Sequence, residues 1–297
     1  MLGVNVIKKI AYLLKESFKG FIDDNALKLS AALSYYTIFS LPPLLVIIIS
    51  LSGKFLGDDA VRGEIFGQIN ELVGNSAALQ IQDTIKNVTL SQSTSLVTVI
   101  STIILLIGAS SMFAEIQESI NLIWGIKAKP KRNMIKFTVN RLMSIAMIGT
   151  VGILLLISLI VNSLVDILNK RLAVHFPQDA IVIFYVINLL IVFIVTTLLF
   201  IIIYNVLPDG KIALRDSVAG ASFTAFLFMV GKFAIGFYLG RYDIASIYGA
   251  AGSIVLILAW IYYSAIILFF GAEFTKVYAN THGQKIIPNE YSVQIIK

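Results

Sequence analysis

The chain has 297 residues, of which 58% are hydrophobic and only 13% are charged, and its mean hydropathy is +0.87. Soluble globular domains carry about 25% charged residues, so the composition excludes that class and predicts an integral membrane protein. The chain contains no cysteine, which excludes disulfides, thiolate metal sites and cysteine nucleophiles.

Residues 1–25 form the first predicted element, a helix. Val6, Ile10 and Phe18 recur at helical spacing, and Lys8 and Lys15 are available for its polar side. This pattern favours a helix that lies in the membrane interface; the alternative is a cytosolic helix packed on the bundle. The segment lacks a compact apolar core and a small-residue cleavage site, so a removable signal peptide is not expected.

Six apolar runs follow, each near or above the length of about 20 residues that a helix needs to cross a bilayer. They cover residues 26–52, 95–124, 137–165, 181–206, 212–240 and 245–274. We therefore predict an all-α integral membrane protein: a six-transmembrane-helix bundle with an N-terminal amphipathic helix and short extracytoplasmic helices between spans one and two. A single membrane domain at 1–280 would precede a cytoplasmic tail at 281–297.

The distribution of positive charge predicts the orientation. Most of the 23 Lys and Arg residues fall before span one, between spans two and three, between spans four and five, and after span six. Because cytoplasmic loops carry the excess of positive residues, both termini are predicted to face the cytoplasm. The same rule explains the net charge of +6 without a nucleic-acid partner, since no interleaved basic and aromatic motif is present.

Span one contains two adjacent prolines, Pro42 and Pro43. Their missing N–H groups and their rings predict a kink or a break in the helix. In one interpretation, Ser40 caps a restarting half-helix whose positive end favours an anionic group. In the other, the hydroxyl groups of Thr37 and Ser40 satisfy the backbone at a purely structural kink.

The longest hydrophilic section, residues 53–93, is predicted to lie outside and to form two short amphipathic helices. The sequence Gly-Asn-Ser at 74–76 supplies a stop and a restart signal between them. The apolar faces would be formed by Ile65, Ile69 and Leu72 in the first helix and by Ile81, Ile85 and Val88 in the second.

Charged residues within two spans are functional candidates, because a charge at membrane depth is costly. Glu115 and Glu118 are three residues apart in span two and could share a proton or hold a cation; alternatively, they mark a helix emerging into the cytoplasmic interface. Lys232 lies in the outer part of span five and should face a cavity or a carboxylate, or snorkel outward. Beyond it, Tyr238 and Arg241 form either an outer rim for an anionic head group or an interfacial anchor.

Small and polar residues mark spans five and six. Gly236 and Gly240 are four residues apart and predict close packing of these two spans. Glu273 and Lys276 are predicted to end span six as a local ion pair. Buried phenols and amides need hydrogen-bond partners, so a further set is predicted to line a polar interior. These residues are Tyr35, Tyr36, Asn188, Tyr262 and Tyr263.

Four segments in a fixed order cover most of the chain. They are LSAALSYYTIFSLPPLL at 29–45, FAEIQESINLIWGIK at 113–127, LPDGKIALRDSVAGA at 207–221 and FAIGFYLGRYDIASIYGAAGSIVLILAWIYYSAIILFFGAEFT at 233–275. Together they resemble the YihY/virulence factor BrkB family of bacterial inner-membrane proteins, historically mislabelled ribonuclease BN. The resemblance implies a six-span bundle in the bacterial cytoplasmic membrane with both ends inside. It implies no securely assigned reaction; transport, including movement of lipids or other amphiphiles, is the suggested role.

An enzyme is not predicted. His175 and His282 are the only histidines and belong to no metal-binding motif, and no nucleophile with a matching base is identifiable. A metal cluster of Glu115, Glu118 and Asp209 is conceivable, but their spacing does not fix it. No catalytic residue, metal or cofactor is therefore expected, and membrane lipids are the expected partners.

Translocation of a lipid, amphiphile or anion is the leading hypothesis, because a polar group crossing hydrocarbon needs a polar lining. The alternatives are an ion- or proton-coupled solute carrier that uses the span-two carboxylates, and a non-transporting scaffold. The candidate path residues are Ser40, Pro42, Pro43, Glu115, Glu118, Lys232, Tyr238, Arg241 and Tyr263.

Overall fold

The structure is a computed structural model, and it describes residues 2–56, 58–73, 75, 78–83, 95–128, 179–241, 251–290 and 292–295. The helices are α1 Leu2–Asp23, α2 Ala26–Leu56, α3 Asp58–Val73, α4 Ser95–Ile123, α5 Asp179–Val206, α6 Leu214–Arg241 and α7 Gly252–His282. Within the same ranges, the strands are β1 Ile126–Ala128, β2 Gly210–Lys211, β3 Ile287–Pro288 and β4 Ser292–Gln294. The predicted third span, at 137–165, lies outside the described residues.

The described part of the chain is an α-helical membrane bundle. Within it, the segments long and apolar enough to cross a membrane are Ala26–Val46, Leu189–Val206, Leu214–Ala234 and Ile254–His282. Helix α4 ends one residue before the predicted end of span two. Helix α7 continues to His282, past the predicted end at 274. It continues because the sequence offers no helix-breaking residue before Gly283.

Helix α2 runs through Pro42 and Pro43 without interruption over its 31 residues. The predicted break, with a half-helix restarting at Ser40, is therefore wrong. Each proline removes one backbone hydrogen bond, which favours a break when the helix is considered alone. In the bundle, α2 lies between α4 and α7, and packing against these neighbours stabilises a helix that local chemistry would interrupt.

The helices pack side by side in the order α5, α6, α7, α2, α4. At the junction of α5, α6 and α7, the Tyr204 hydroxyl donates to the Leu268 carbonyl oxygen at 2.9 Å and lies 3.0 Å from the Thr224 hydroxyl. A methyl group on Gly271 would overlap the Thr224 side chain. The three helices therefore meet where a glycine leaves room for two buried hydroxyl groups.

Close packing of spans five and six occurs at positions other than the predicted ones. A methyl group on Gly220 of α6 would overlap Thr275 of α7, and one on Gly231 would overlap the Tyr263 ring. Gly236 and Gly240 lie in α6, but their surroundings are outside the described residues, so their role in packing stays a prediction.

Two antiparallel strand pairs join loops at the predicted cytoplasmic ends of the helices. In the first, β1 pairs with β4 and Lys127 lies opposite Val293. In the second, β2 pairs with β3 and Lys211 lies opposite Ile287. The segment after α7 thus contacts both the loop after α4 and the α5–α6 loop. The chain at 281–297, predicted to be a separate tail, is held against the membrane domain over its described residues.

The predicted outer helices are found as α3 and a helical segment at 78–83. Ile65 and Ile81 are both 8% exposed, and they line one cleft together with Ile49 of α2. The apolar faces of these two helical segments therefore meet beside the C-terminal part of α2, and their location outside the membrane stays a prediction. Ile85 and Val88 lie outside the described residues.

A two-residue turn, Asp24 and Asn25, joins α1 to α2. Asn25 has a φ of 53°, a left-handed conformation that asparagine tolerates better than most residues. The Phe21 ring meets Phe270 of α7 edge-on, with ring centroids 5.7 Å apart. The predicted N-terminal segment is therefore helical and packs on the bundle, and its position in the membrane interface stays a prediction.

Candidate functional site

The buried face of α2 carries small hydroxyl residues. Ser30, Ser34 and Thr37 donate to the carbonyl oxygens four residues earlier, at 2.8, 2.8 and 2.7 Å. Ser40 continues this face and is 1% exposed. The hydroxyl groups of Ser30, Ser34 and Thr37 are therefore satisfied within their own helix, and α2 presents small residues to its neighbours.

The prolines belong to the contact between α2 and α4. A methyl group on Gly108 of α4 would come within 3.3 Å of the Pro43 Cγ atom, and Pro42 is half-buried beside it. Thr37 bonds the Leu33 carbonyl, which is not one of the two carbonyls that the prolines leave free. Packing of the ring against glycine is therefore the role that the structure gives Pro43.

Glu115 and Glu118 occupy different environments. Glu115 is half-buried and accepts a hydrogen bond of 3.5 Å from Ser119, whereas Glu118 is exposed. Gln117 of the same helical turn reaches the α5–α6 loop. This level of α4 is thus at the end of the bundle that carries the loops and strand pairs. Whether the two carboxylates lie within the membrane or in its interface stays a prediction.

Lys232 is exposed on α6, and at about 100° per residue it lies about 100° to 160° around the helix from a row of exposed apolar side chains. Phe226, Val230 and Phe233 are 57%, 50% and 60% exposed. The preceding residue, Gly231, lies about 100° around the helix from Lys232 and receives the half-buried Tyr263 ring from α7. The structure therefore brings Tyr263 and the turn of Lys232 together, with the lysine on the outer surface of the helix pair.

Several further residues were predicted to line the path or a polar interior. Tyr238 and Arg241 lie in the last turns of α6, and their side chains are outside the described residues, as is that of Asn188. Tyr35 and Tyr36 are 62% and 43% exposed. That these two tyrosines line a polar interior stays a prediction.

Asp209, in the α5–α6 loop, makes several hydrogen bonds at the end of the bundle that carries the strand pairs. Its carboxylate accepts from Asn121 Nδ2 at 2.8 Å and from Gln117 Nε2 at 3.2 Å. Its backbone N–H donates to Asn121 Oδ1 at 2.8 Å. Two amides of α4 therefore hold the loop in place through both the main chain and the side chain of one residue.

The C-terminal segment closes over the same residue. The Asp209 carbonyl oxygen accepts from the Asn289 N–H at 2.8 Å and from the Ser292 hydroxyl at 2.7 Å. Next to it, the Ile295 N–H donates to the Gly125 carbonyl oxygen at 2.6 Å. Asp209 therefore joins α4, the α5–α6 loop and the C-terminal segment in one hydrogen-bonded network, which we call the Asp209 junction.

Sequence reasoning missed this junction. The available signal was the spacing of Gln117 and Asn121, four residues apart on one helix, which places two amides on one face. The sequence suggested Asp209 only as a conceivable metal ligand. The structure gives it amide partners instead, and the described residues contain no group of three or more His, Asp or Glu that could hold a metal ion.

A second charged group connects α1 and the α1–α2 turn to α7. The Lys276 ammonium lies 3.1 Å from Glu273 and 3.3 Å from Asp24. Glu273 is fully buried, and its carboxylate fills the space beside Gly20, where a methyl group would come within 2.7 Å. The predicted Glu273–Lys276 pair is confirmed, but it does not end the helix. It joins the N-terminal helix to the last one.

Replacing Lys276 by methionine is expected to lower the free energy of unfolding by about 1 to 3 kcal/mol, because a buried carboxylate loses its counter-charge. The side chain of Lys276 is 25% exposed, which keeps the effect below that of a fully buried pair. Thermal unfolding of the purified protein in detergent measures it. Lys285→Met is the control, since Lys285 is exposed. Equal shifts for the two variants would contradict the expectation.

Comparisons with known proteins agree with this architecture. Residues 17–292 match the family model of the virulence factor BrkB. A UPF0761 membrane protein of Pseudomonas paraeruginosa is 26% identical over 253 residues, which are 85% of this chain and 59% of that protein. A UPF0761 membrane protein of Vibrio campbellii is 26% identical over 273 residues, or 89% of this chain and 80% of the relative.

A protein of Bacillus subtilis named ribonuclease-like protein YfkH is 24% identical over 282 residues, which are 93% of this chain and 98% of its own length. The chain spans only 59% of the length of the Pseudomonas relative. No solved structure matches. Since the family match covers nearly the whole chain and the fold is a bundle of apolar helices, this multi-pass membrane protein belongs to the virulence factor BrkB family.

Proposed function

We propose that this protein moves an anionic amphiphile, such as a membrane lipid, between the two leaflets of the bacterial cytoplasmic membrane. The proposed architecture has six spans, with both termini in the cytoplasm and α1 in the cytoplasmic interface. The single observation that carries the proposal is the surface of α6 around Lys232.

Lys232 is the eighteenth residue beyond the start of α6 at Leu214, and a rise of about 1.5 Å per residue places it about 27 Å along the helix. It therefore lies within the outer part of a hydrocarbon layer about 30 Å thick. An exposed ammonium at that depth lowers the cost of bringing an anionic head group into the hydrocarbon layer. Exposed apolar side chains of the same helix, such as Phe233, contact the acyl chains.

The experiment is lipid flipping in proteoliposomes without an imposed ion gradient. Vesicles containing a fluorescent phosphatidylglycerol are exposed to a membrane-impermeant quencher, and the fraction of label quenched reports exchange between leaflets. We expect the protein to accelerate exchange and Lys232→Gln to slow it several-fold, because the ammonium lowers the cost of bringing the head group into hydrocarbon. Lys285→Gln, at an exposed residue after α7, is the matched control.

A flipping rate that equals that of protein-free vesicles would refute the proposal. If Lys232→Gln and Lys285→Gln slow flipping equally, Lys232 has no specific role in the proposed transport.

The second candidate function is proton- or ion-coupled transport of a small solute. It is favoured by one observation, the half-buried Glu115 with its hydrogen bond from Ser119. Flipping or uptake that requires an imposed proton or sodium gradient, and that Glu118→Gln abolishes, would favour this candidate. The exposed position of Glu118 is the reason that we place it second.

A further inference from the structure

Helix α1 has four sides with different chemistry. One side is packed on the bundle: Leu13, Ser17 and Phe21 are 5%, 0% and 5% exposed. The neighbouring side is apolar yet exposed. Ile10, Leu14, Phe18 and Ile22 are spaced four residues apart and are 50%, 37%, 61% and 50% exposed.

The other two sides are polar. Lys8, Lys15 and Lys19 are exposed, and their spacings of seven and four residues place them on one side of the helix. Lys9, Glu16 and Asp23 are spaced seven residues apart and form the last side. At 100° per residue, the order around the helix is the packed side, the apolar side, the lysine side and the last side. The last side therefore lies opposite the apolar stripe.

We infer that the stripe of Ile10, Leu14, Phe18 and Ile22 inserts into the cytoplasmic leaflet while Lys8, Lys15 and Lys19 bind the phosphates of anionic lipids. The inference rests on the membrane topology given under Proposed function. It commits to one occupant, the bilayer in which the protein itself resides.

Chain connectivity supports that occupant. Only Asp24 and Asn25 separate α1 from the first membrane-spanning segment, which begins at Ala26. The end of α1 is therefore fixed at the membrane surface. The contact of Phe21 with Phe270 of α7 holds the helix alongside the bundle, so the stripe that is not packed on protein has the bilayer as its neighbour.

Charge complementarity decides which lipids are bound. A helix with an apolar stripe lies at the boundary between head groups and acyl chains, and lysines beside the stripe reach the head-group level with their flexible stems. Anionic head groups on the cytoplasmic side attract such lysines. The opposite side, with Lys9 and Glu16, is left facing water.

Site-directed spin labelling tests this arrangement directly, because the chain has no native cysteine. Phe18→Cys and Lys9→Cys are labelled separately in the full chain, reconstituted in nanodiscs of mixed phosphatidylcholine and phosphatidylglycerol. For each label we compare the collision rate with oxygen, which is concentrated in lipid, to that with a water-soluble nickel complex. We expect this ratio to be several-fold higher for the label at 18 than for the label at 9. Equal accessibility at the two positions would overturn the insertion of the stripe.

The lysines are tested by the triple variant Lys8→Gln, Lys15→Gln and Lys19→Gln. Phosphatidylglycerol is expected to raise the unfolding temperature of the parent protein more than that of this variant, with phosphatidylcholine as the reference lipid. An equal shift would overturn the role of the lysines. Both measurements report on a resting protein, so they succeed or fail independently of any flipping activity.

Discussion

Gly271→Ala is expected to destabilise the protein by about 1 to 3 kcal/mol, the usual cost of forcing an extra methyl group into a filled core. Gly271 is buried, and a methyl group there would overlap the Thr224 side chain. Alanine is otherwise favoured over glycine within a helix by about 1 kcal/mol. The overlap outweighs this gain because the Tyr204 hydroxyl bonds the α7 backbone and prevents the helices from moving apart.

The measurement is the midpoint of thermal unfolding of the full chain in detergent. Gly63→Ala is the matched control, since Gly63 lies in α3 and no atom of another residue is near its added methyl group. The control is expected to be neutral or slightly stabilising. Adding Thr224→Ala to Gly271→Ala should recover part of the loss, because it removes the Thr224 atoms in conflict and leaves the Tyr204 hydroxyl 2.5 Å from the added methyl group. A neutral Gly271→Ala variant would contradict the packing of α5, α6 and α7 described above.

Asp209→Ala is expected to cost about 2 to 4 kcal/mol and to loosen the C-terminal segment. The carboxylate accepts from the side-chain amides of Asn121 and Gln117, and a hydrogen bond to a charged group contributes about 1.5 to 3 kcal/mol. Without the carboxylate, the Asp209 backbone carbonyl, which accepts hydrogen bonds from Asn289 and Ser292, is held less firmly. Hydrogen exchange should therefore accelerate in both 207–211 and 286–295.

Asp59→Ala provides the control, because Asp59 is an exposed carboxylate on α3. A double-mutant cycle between Asp209→Ala and Asn121→Ala isolates their interaction, for which we expect a coupling of about 1 kcal/mol or more. Unchanged exchange in 286–295 would show that the strand pairs, rather than Asp209, hold the C-terminal segment.

The Asp209 junction gives a structural reason for two of the segments that resemble the family. FAEIQESINLIWGIK supplies the two amides and β1, and LPDGKIALRDSVAGA supplies Asp209 and β2. A buried network of this kind specifies how loops meet only if its members are satisfied. These segments therefore hold the loops and the C-terminal segment together at one end of the bundle. This role differs from lining a path for substrate.

Local sequence rules predicted the charged pair of α7 correctly and the break at the prolines of α2 wrongly. The i, i+3 pair of Glu273 and Lys276 was readable from the sequence, because its two members are neighbours on one helix. Its third member, Asp24, is 252 residues away from Lys276, and no local pattern connects them. The prolines of α2 mislead for the opposite reason: their local effect is large, but α4 and α7 support the helix on either side.

The sequence by itself determined that this is an α-helical membrane protein, where most of its described helices begin and end, and which family it resembles. Those features depend on apolar run length and on local motifs, which are properties of neighbouring residues. Only the tertiary structure decided that Pro43 packs on Gly108, that Asp209 joins α4 to the C-terminal segment, and that α1 leaves one apolar stripe exposed. These depend on contacts between residues far apart in the chain, and a single sequence carries no local record of which distant surfaces will meet.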